Sequence, residues 1–335
     1  MDWSKGYTAT FYASFVDPVT WRDIERFEIV GGSISHSDSD LRESCDLDCI
    51  NYDQSQERWV RVWMDTKQEG SSAHVALFTG LATSPDREID GTLVSTPVEL
   101  YSVLKPAADV YVQRGYYAPI GVRGADIVLQ LLDVIPAPIE AEEYSPRLQS
   151  AIISEDGETR LTMALKILEA INWRLVISGA GEIRILPKST EPVAVFGSLE
   201  NDMLEPQVSI NYDWFSCPNV FRAIAEGISA VARDEDPDSP LSIPARGREI
   251  WMEESDCELM AGETIAEYAQ RRLKEEQAIN TTMSYDRRFH PEVNIGDLVE
   301  IHYPRQGIEG IYEVTDQSIE IGIGVKTSEE VKAYV

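Results

Sequence analysis

The sequence predicts a mainly β protein with α+β character, in which two antiparallel β-barrels flank a small α/β module. Three observations predict it. Apolar and polar residues alternate with period two through the first third of the chain. A helix with a 3.6-residue apolar stripe, followed by a hairpin, occupies the middle. The period-two pattern then returns, interrupted by one strongly signalled helix.

In the first third, Tyr7, Ala9, Phe11, Ala13 and Phe15 alternate with Thr8, Thr10, Tyr12 and Ser14, and Asp17-Pro18 stops the strand. A second run covers Phe27 to Ile34, with Gly31-Gly32 as a bulge or bend. From Trp59 to Met64, Val60, Val62 and Met64 face one way and Trp59, Arg61 and Trp63 the other. Ala73 to Leu81 and Gly91 to Leu104 complete the set. Turn clusters at Ser37–Asp40, Gln68–Ser72 and Ser84–Asp90 separate the runs. Several strands without a strong helix suggest a barrel or sandwich.

The middle changes character. Ile127, Val128, Leu131 and Leu132 have helical spacing within Gly124–Val134, and Pro136 and Pro138 end that helix. Thr159 to Trp173 is a clearer helix, with Leu161, Leu165, Leu168 and Ile171 as its stripe. Arg174–Ser178 and Glu182–Leu186 then alternate about Gly179-Ala180-Gly181, which reads as a hairpin turn.

Beyond this, Val208, Ile210 and Tyr212 alternate. Asn219 to Ala232 reads as two strands broken at Gly227, and Arg248 to Met252 as another. Thr264 with Glu267 is a capping box opening the helix 264–277, whose buried stripe is Ile265, Tyr268, Ala269 and Leu273. Strands resume at Thr281–Tyr285, Leu298–Tyr303, Gly310–Val314 and Gln317–Ile323. The expected division is a first barrel over 1–108, an α/β module over 109–204, a second barrel with an inserted helix over 205–325, and a tail over 326–335.

Composition narrows the function. The 335 residues carry 58 Asp+Glu against 29 Lys+Arg, a net charge of −29. At 43% hydrophobic the chain is too apolar for an acidic disordered protein. The acid excess opposes a general DNA-binding surface and docking on an anionic membrane leaflet. Met1-Asp2-Trp3-Ser4-Lys5 opens no signal peptide, and no apolar stretch reaches the ~20 residues of a membrane span. Cys45, Cys49, Cys217 and Cys257 read as free thiols of a protein made in a reducing cytosol, although a Cys45–Cys49 bridge would close a short loop.

No constellation for chemistry emerges. Gly179-Ala180-Gly181 lacks the Lys-Ser/Thr of a phosphate loop and precedes a strand. His36, His74, His290 and His302 form no metal spacing with each other or with the cysteines. Asp38, Asp40 and Glu43, and likewise Asp46 and Asp48, fit an EF-hand poorly, so a solvated loop is the reading, with adventitious calcium as the alternative. Asp234–Asp238 and Glu253–Glu258 read as surface turns. Gly70-Ser71-Ser72 and Gly197-Ser198 are not nucleophile elbows. Trp59 and Trp63, on one side of a strand, suit a barrel core or subunit interface, or an aromatic platform for sugars. No catalytic, cofactor or metal residue is therefore assigned.

The order of modules resembles that of the central hub proteins of phage tail tips and baseplates, of the late-control and prophage hub type. The resemblance rests on three stretches. Asn219-Val220-Phe221-Arg222-Ala223-Ile224-Ala225 opens a strand, and Gly262 to Leu273 forms the inserted helix. Val293-Asn294-Ile295-Gly296-Asp297-Leu298-Val299 with Gly310-Ile311-Tyr312-Glu313-Val314 forms the closing strands. The first third matches only in its strand pattern.

The resemblance implies a homotrimer with two tail-tube-like barrels per subunit, adapting a sixfold tail tube to a threefold tip and forming part of the DNA channel. Its implied neighbours are the distal tail or tube protein, the tape measure protein and a tail fibre or spike, in the virion tail after synthesis in the host cytoplasm. DNA would only pass through, no membrane anchor is expected, and the role is architectural rather than enzymatic. The acid excess suits a channel wall that repels phosphate. The charges Glu267, Arg271, Arg272, Lys274, Glu275 and Glu276 would then be a solvated face or a subunit contact. A tail-associated carbohydrate-binding module and a cell-wall hydrolase are the rival readings.

Overall fold

The computed structural model describes all residues except 51, 53–55, 84–87, 91–92, 198–203, 213, 226, 256, 258, 261, 280, 305–306 and 335. The first third forms eight strands: β1 (Thr8–Val16), β2 (Asp23–Phe27), β3 (Ile29–Ser37), β4 (Glu43–Ile50), β5 (Trp59–Gln68), β6 (Ser71–Ala82), β7 (Glu88–Asp90) and β8 (Leu93–Ser102). The inward residues Ala13, Phe15, Leu47, Val60, Val62, Met64, Phe78 and Leu100 form its core. Asp17 ends β1 as expected, its carboxylate accepting from Val19 N at 2.8 Å and Thr20 Oγ1 at 3.0 Å. The expected turn Ser84–Asp90 lies partly outside the described residues, and 88–90 are β7.

The middle contains α1 (Lys105–Asp109), β9 (Tyr117–Ala118), α2 (Gly124–Leu131), β10 (Ile139–Ala141), β11 (Ile152–Ile153), α3 (Arg160–Ala170), β12 (Trp173–Ile177) and β13 (Ile183–Pro187). Thr159 caps α3 by accepting from Thr162 N at 3.1 Å. The expected hairpin is present, with Leu175 opposite Ile185. Leu161, Ile167 and Leu168 pack with Val128 and Leu132, and this core takes in Val16, Trp21 and Trp59 from the first β unit.

The remainder comprises β14 (Pro192–Gly197), β15 (Leu204–Tyr212), β16 (Val220–Ala225), β17 (Ile228–Arg233), α4 (Ile243–Arg246), β18 (Trp251–Ser255), α5 (Ile265–Ile279), β19 (Thr281–Arg288), β20 (Leu298–Tyr303), β21 (Ile308–Ile321) and β22 (Lys326–Ala333). The break between β16 and β17 falls at Gly227, whose φ of 80° is left-handed. The capping box before α5 forms as expected: Thr264 N donates to Glu267 Oε2 at 2.8 Å and Glu267 N to Thr264 Oγ1 at 3.3 Å.

Several assignments differ from the sequence expectation, among them Glu43, Asp46 and Asp48, read as a solvated acidic loop but part of β4. The segment expected as a tail contains β22, which lies between β19 and β21. Its inward positions are Thr327, Glu329 and Val331, so two polar residues hide the alternation. Residues 192–197, expected within the α/β module, form β14, which pairs in parallel with β20. Finally, β16, β17, β18 and α5 leave the main sheet. They build a three-stranded sheet with its own core, where Tyr268, Ala269 and Leu273 of α5 cover Phe221, Ala223 and Ala232.

The two β units are one sheet. Its pairing path runs β15-β19-β22-β21-β3-β4-β8-β6-β5-β1-β2, with β20 on β21, β14 on β20 and β7 on β8. The join is β21, fourteen residues long. Ile308–Glu313 pair with β20, and Asp316–Ile321 pair with β3. The register shifts between Val314 and Asp316, where the strand changes neighbours. The expected barrels do not close through the described pairings. Only Glu28 separates β2 from β3, too little chain for a hairpin that would lay them side by side.

Candidate channel face

Alternation and register together decide what the joined sheet presents. Across seven strands, β15-β19-β22-β21-β3-β4-β8, outward side chains fall into transverse rows. One row reads Ser209, Ser284, Glu330, Asp316, Ser37. The next reads Asp286, Ser328, Ser318, Ser35, Ser44, Tyr101. A third carries Glu320, Ser33, Asp46 and Glu99. The face is concave, and its hollow of about 470 Å³ is lined by residues of the first two rows, by Gln207 and, at its floor, by His36, Tyr285, Gln317 and Glu329. Small hydroxyls and carboxylates thus cover a surface drawn from both ends of the chain.

Two of its bases are in ion pairs, and a third, the exposed Arg288 opposite Lys326, donates to Ser4 O. Lys326 pairs with Asp286 at 2.6 Å and Lys332 with Glu313 at 3.3 Å. Partial burial pushes the Asp286 carboxyl up, but Lys326 and Ser328 outweigh it and hold it below the usual range. Among the described residues, no ion pair neutralises Asp316, Glu320, Glu330, Asp46 or Glu99, so the face is net negative.

Beneath it runs a buried polar row, Tyr285, Glu329, Gln317, His36 and Glu43, one residue from each of five adjacent strands. Arg287 joins from the next row and pairs with Glu329. Tyr285 donates to Glu329 Oε2 at 2.8 Å, Gln317 Nε2 to Glu329 Oε1 at 2.8 Å and to Val293 O at 3.1 Å, and His36 Nδ1 meets Gln317 Oε1 at 3.0 Å. Burial, then the Glu329 charge, drives the Tyr285 hydroxyl well up. Burial likewise raises Glu43, opposed by His36.

The α/β module is fastened to both β units. Arg61 donates to Thr79 Oγ1 at 3.0 Å, Asp23 Oδ1 at 2.7 Å and Ala180 O at 2.9 Å. Trp21 Nε1 also donates to Ala180 O at 2.9 Å, and Thr79 Oγ1 to Gly179 O at 2.8 Å. On the other side, Arg174 pairs with Asp297 at 2.6 Å. The turn Gly179-Ala180-Gly181 therefore offers carbonyls to the first β unit, the opposite of a phosphate cradle.

Other sequence candidates find ordinary places. Trp59 is buried against Trp21, and Trp63 stacks on His74 at 4.1 Å while donating to Asp23 Oδ2 at 2.7 Å. One face of Trp63 is thus covered, which disfavours a sugar platform. All four cysteines are free and buried; Cys45 and Cys49 share one face of β4, and their four-residue spacing along an extended strand, about 13 Å, forbids a bridge. Asp38 pairs with Arg42, and His302 with Glu300 at 3.0 Å. No group of three or more His, Cys, Asp or Glu among the described residues could hold a metal ion. Of the acidic stretch 253–258, expected as a surface turn, residues 253–255 belong to β18, while 256 and 258 lie outside the described residues, as does Ser198. On α5, Arg271 pairs with Glu263 and Glu275, and Arg272 with Glu254, Glu275 and Glu276, so these charges are satisfied within the chain. Neither the serine-acid face nor the buried row has a local signal in the sequence, because each collects single residues from strands far apart.

No protein-family model matches the chain, and no curated protein does. Solved structures match along its whole length. A tail protein from Neisseria meningitidis MC58 superposes with a TM-score of 0.68 at 15% identity, covering 96% of this chain and 96% of its own. The 43 kDa tail protein of prophage MuSo2 from Shewanella oneidensis gives 0.69 at 13% identity, covering 97% and 98%. Prophage tail protein gp18 from Listeria monocytogenes EGD-e gives 0.59 at 12% identity, covering 96% and 94%. At these identities the shared property is the fold: the chain has the architecture of these tail proteins from end to end.

Proposed function

We propose that the chain is a structural subunit of the tail tip or baseplate of a phage or phage-like particle, that it assembles as a homotrimer, and that the serine-acid face lines the channel for DNA. The concave face spanning both β units carries this reading. Seven strands at a spacing of about 4.8 Å cover an arc of about 34 Å. Three such arcs make a ring of about 100 Å, or about 32 Å across for upright strands, and strand tilt widens it. A nucleic-acid duplex fits such a ring. Its phosphates would meet mostly carboxylates and small hydroxyls, since acids outnumber the bases Arg288, Lys326 and Lys332 among the described residues of this face, so the duplex would slide without sticking. Two β units per subunit would present six similar units around the axis, which suits a sixfold tube stacked on a threefold tip. The distal tail or tube protein, the tape measure protein and a fibre or spike are the partners this role requires, and it involves no substrate turnover.

Sedimentation velocity of the purified chain, alone and with its tube protein, tests the assembly, and electron microscopy of the complex tests the orientation. A trimeric ring with Ser35, Ser318 and Asp316 turned to the axis is expected. A monomer under both conditions, or a ring with this face outward, sinks the proposal.

A further inference from the structure

The buried row under the candidate channel face has a fixed direction of hydrogen bonding. Glu329, paired with Arg287, can only accept. Gln317 therefore turns its NH₂ toward Glu329 Oε1, and the second amide hydrogen goes to Val293 O. Both partners are acceptors only, so the amide cannot be the other way round. Gln317 Oε1 is left to accept, and His36 Nδ1, 3.0 Å away, must carry a hydrogen. The other ring nitrogen, His36 Nε2, then faces Glu43 Oε2 at 3.5 Å.

Only some protonation states of that contact attract. With one proton between them, either the acid donates to the imidazole or the imidazolium donates to the carboxylate. With none, two lone pairs face each other. The Glu43 side chain is 5% exposed and its Oε1 has no hydrogen-bond partner, so water does little to relieve the repulsion. Among the described residues, no other charge takes the place of His36. Arg42 pairs with Asp38, Arg287 pairs with Glu329, and Cys45, next on the same face of β4, is a thiol whose ionisation burial suppresses.

We propose that His36 and Glu43 form a proton-sharing dyad, that the folded chain holds one proton between His36 Nε2 and Glu43 Oε2, and that losing it weakens the β4–β3–β21 seam where the two β units join. The inference rests on the hydrogen-bond directions alone and stands whether or not the chain is a tail subunit.

The sign of the pH dependence follows. Without a proton the folded pair sets the Nε2 lone pair against the carboxylate at 3.5 Å, so the folded pair keeps a proton that the unfolded pair gives up. Burial, which raises Glu43, acts in the same direction. An unfolded chain holds one proton on such a pair until its imidazole titrates near pH 6.5, with about 6.5 the ordinary histidine value. The stabilisation is complete below that point. Above it, stability declines by about tenfold in the folding equilibrium per pH unit, until the folded dyad itself deprotonates. His290, which burial and then Arg287 push down, acts in the opposite sense and on the acid side of this window.

Two measurements on the full chain test the dyad. In ¹⁵N spectra of histidine-labelled protein, with the His36 signal identified by its loss in His36→Ala, Nδ1 is expected to be protonated and Nε2 to report the shared proton. A neutral ring protonated only at Nε2 overturns the proposal. Denaturant unfolding between pH 6 and 9 then compares wild type with Glu43→Gln, whose introduced amide can donate to Nε2 without titrating. The wild type is expected to lose stability relative to the variant as pH rises, and parallel curves overturn the proposal. If the variant does not fold, the wild-type spectrum decides.

Discussion

Arg287 on β19 and Glu329 on β22 form an ion pair in which both side chains are 0% exposed, and Glu329 belongs to a polar row that crosses five strands. Such a pair adds little over well-packed apolar residues, but breaking it strands a charge in a medium that cannot solvate it. Glu329→Ala is expected to cost about 3–5 kcal/mol. Replacing Arg287 and Glu329 together by Met and Leu strands no charge but still orphans the Tyr285 hydroxyl and the Gln317 amide, and is expected to cost less, about 1–3 kcal/mol. Urea denaturation of the three proteins measures both. A Glu329→Ala cost below about 1 kcal/mol would place water or a second partner at Arg287.

Gly179 predicts a sharp local effect. A Cβ there would sit 1.9 Å from Ala76 O, on backbone that cannot give way. Gly179→Ala should push the 178–182 turn off the first β unit and break the contacts of Arg61 and Trp21 with Ala180 O. The expected loss is about 3 kcal/mol, the upper end of the overpacking range. Hydrogen exchange should locate it at the hairpin of β12 and β13 and in β6. A uniform rise in exchange across the chain contradicts a docking role for this turn.

The channel face predicts a gain of binding. Ser35, Ser318 and Ser328 lie side by side on three adjacent strands, so a lysine at each builds a basic stripe without touching the core. The triple variant S35K/S318K/S328K is expected to retain duplex DNA in low salt and release it as salt rises, while the wild type retains none. Filter binding across a salt series reads this out. Equal retention by both proteins would show that DNA never meets this face.

Much of the architecture was legible because burial follows a period. The alternation at Val60, Val62 and Met64 and the stripe at Leu161 and Leu168 mark core positions that the structure fills. The cap at Thr264 and Glu267 forms as spelled. Period fails where a polar residue points inward, as Glu329 does in β22, because its burial depends on Arg287 forty-two positions away. The candidate site was invisible for a related reason. Ser37 and Asp316 are opposite one another only once β21 has paired with β3, and register between distant strands is not written in either segment. The conspicuous features, four cysteines, seven tryptophans and the acidic turns, proved mostly packing and surface.

The fourteen-residue run of β21 sets how the molecule carries load. Two units tethered by a flexible linker stretch apart under tension until the linker is taut. Here the backbone of one strand is a rung-bearing member of both, flanked by β22 along most of its length. Tension applied along the strands loads the rungs between Asp316–Ile321 and Gly32–Ser37 in shear, all of them at once, rather than peeling them one after another. The seam therefore behaves as a stiff bracket, which passes a push or pull from one β unit to the other with little give.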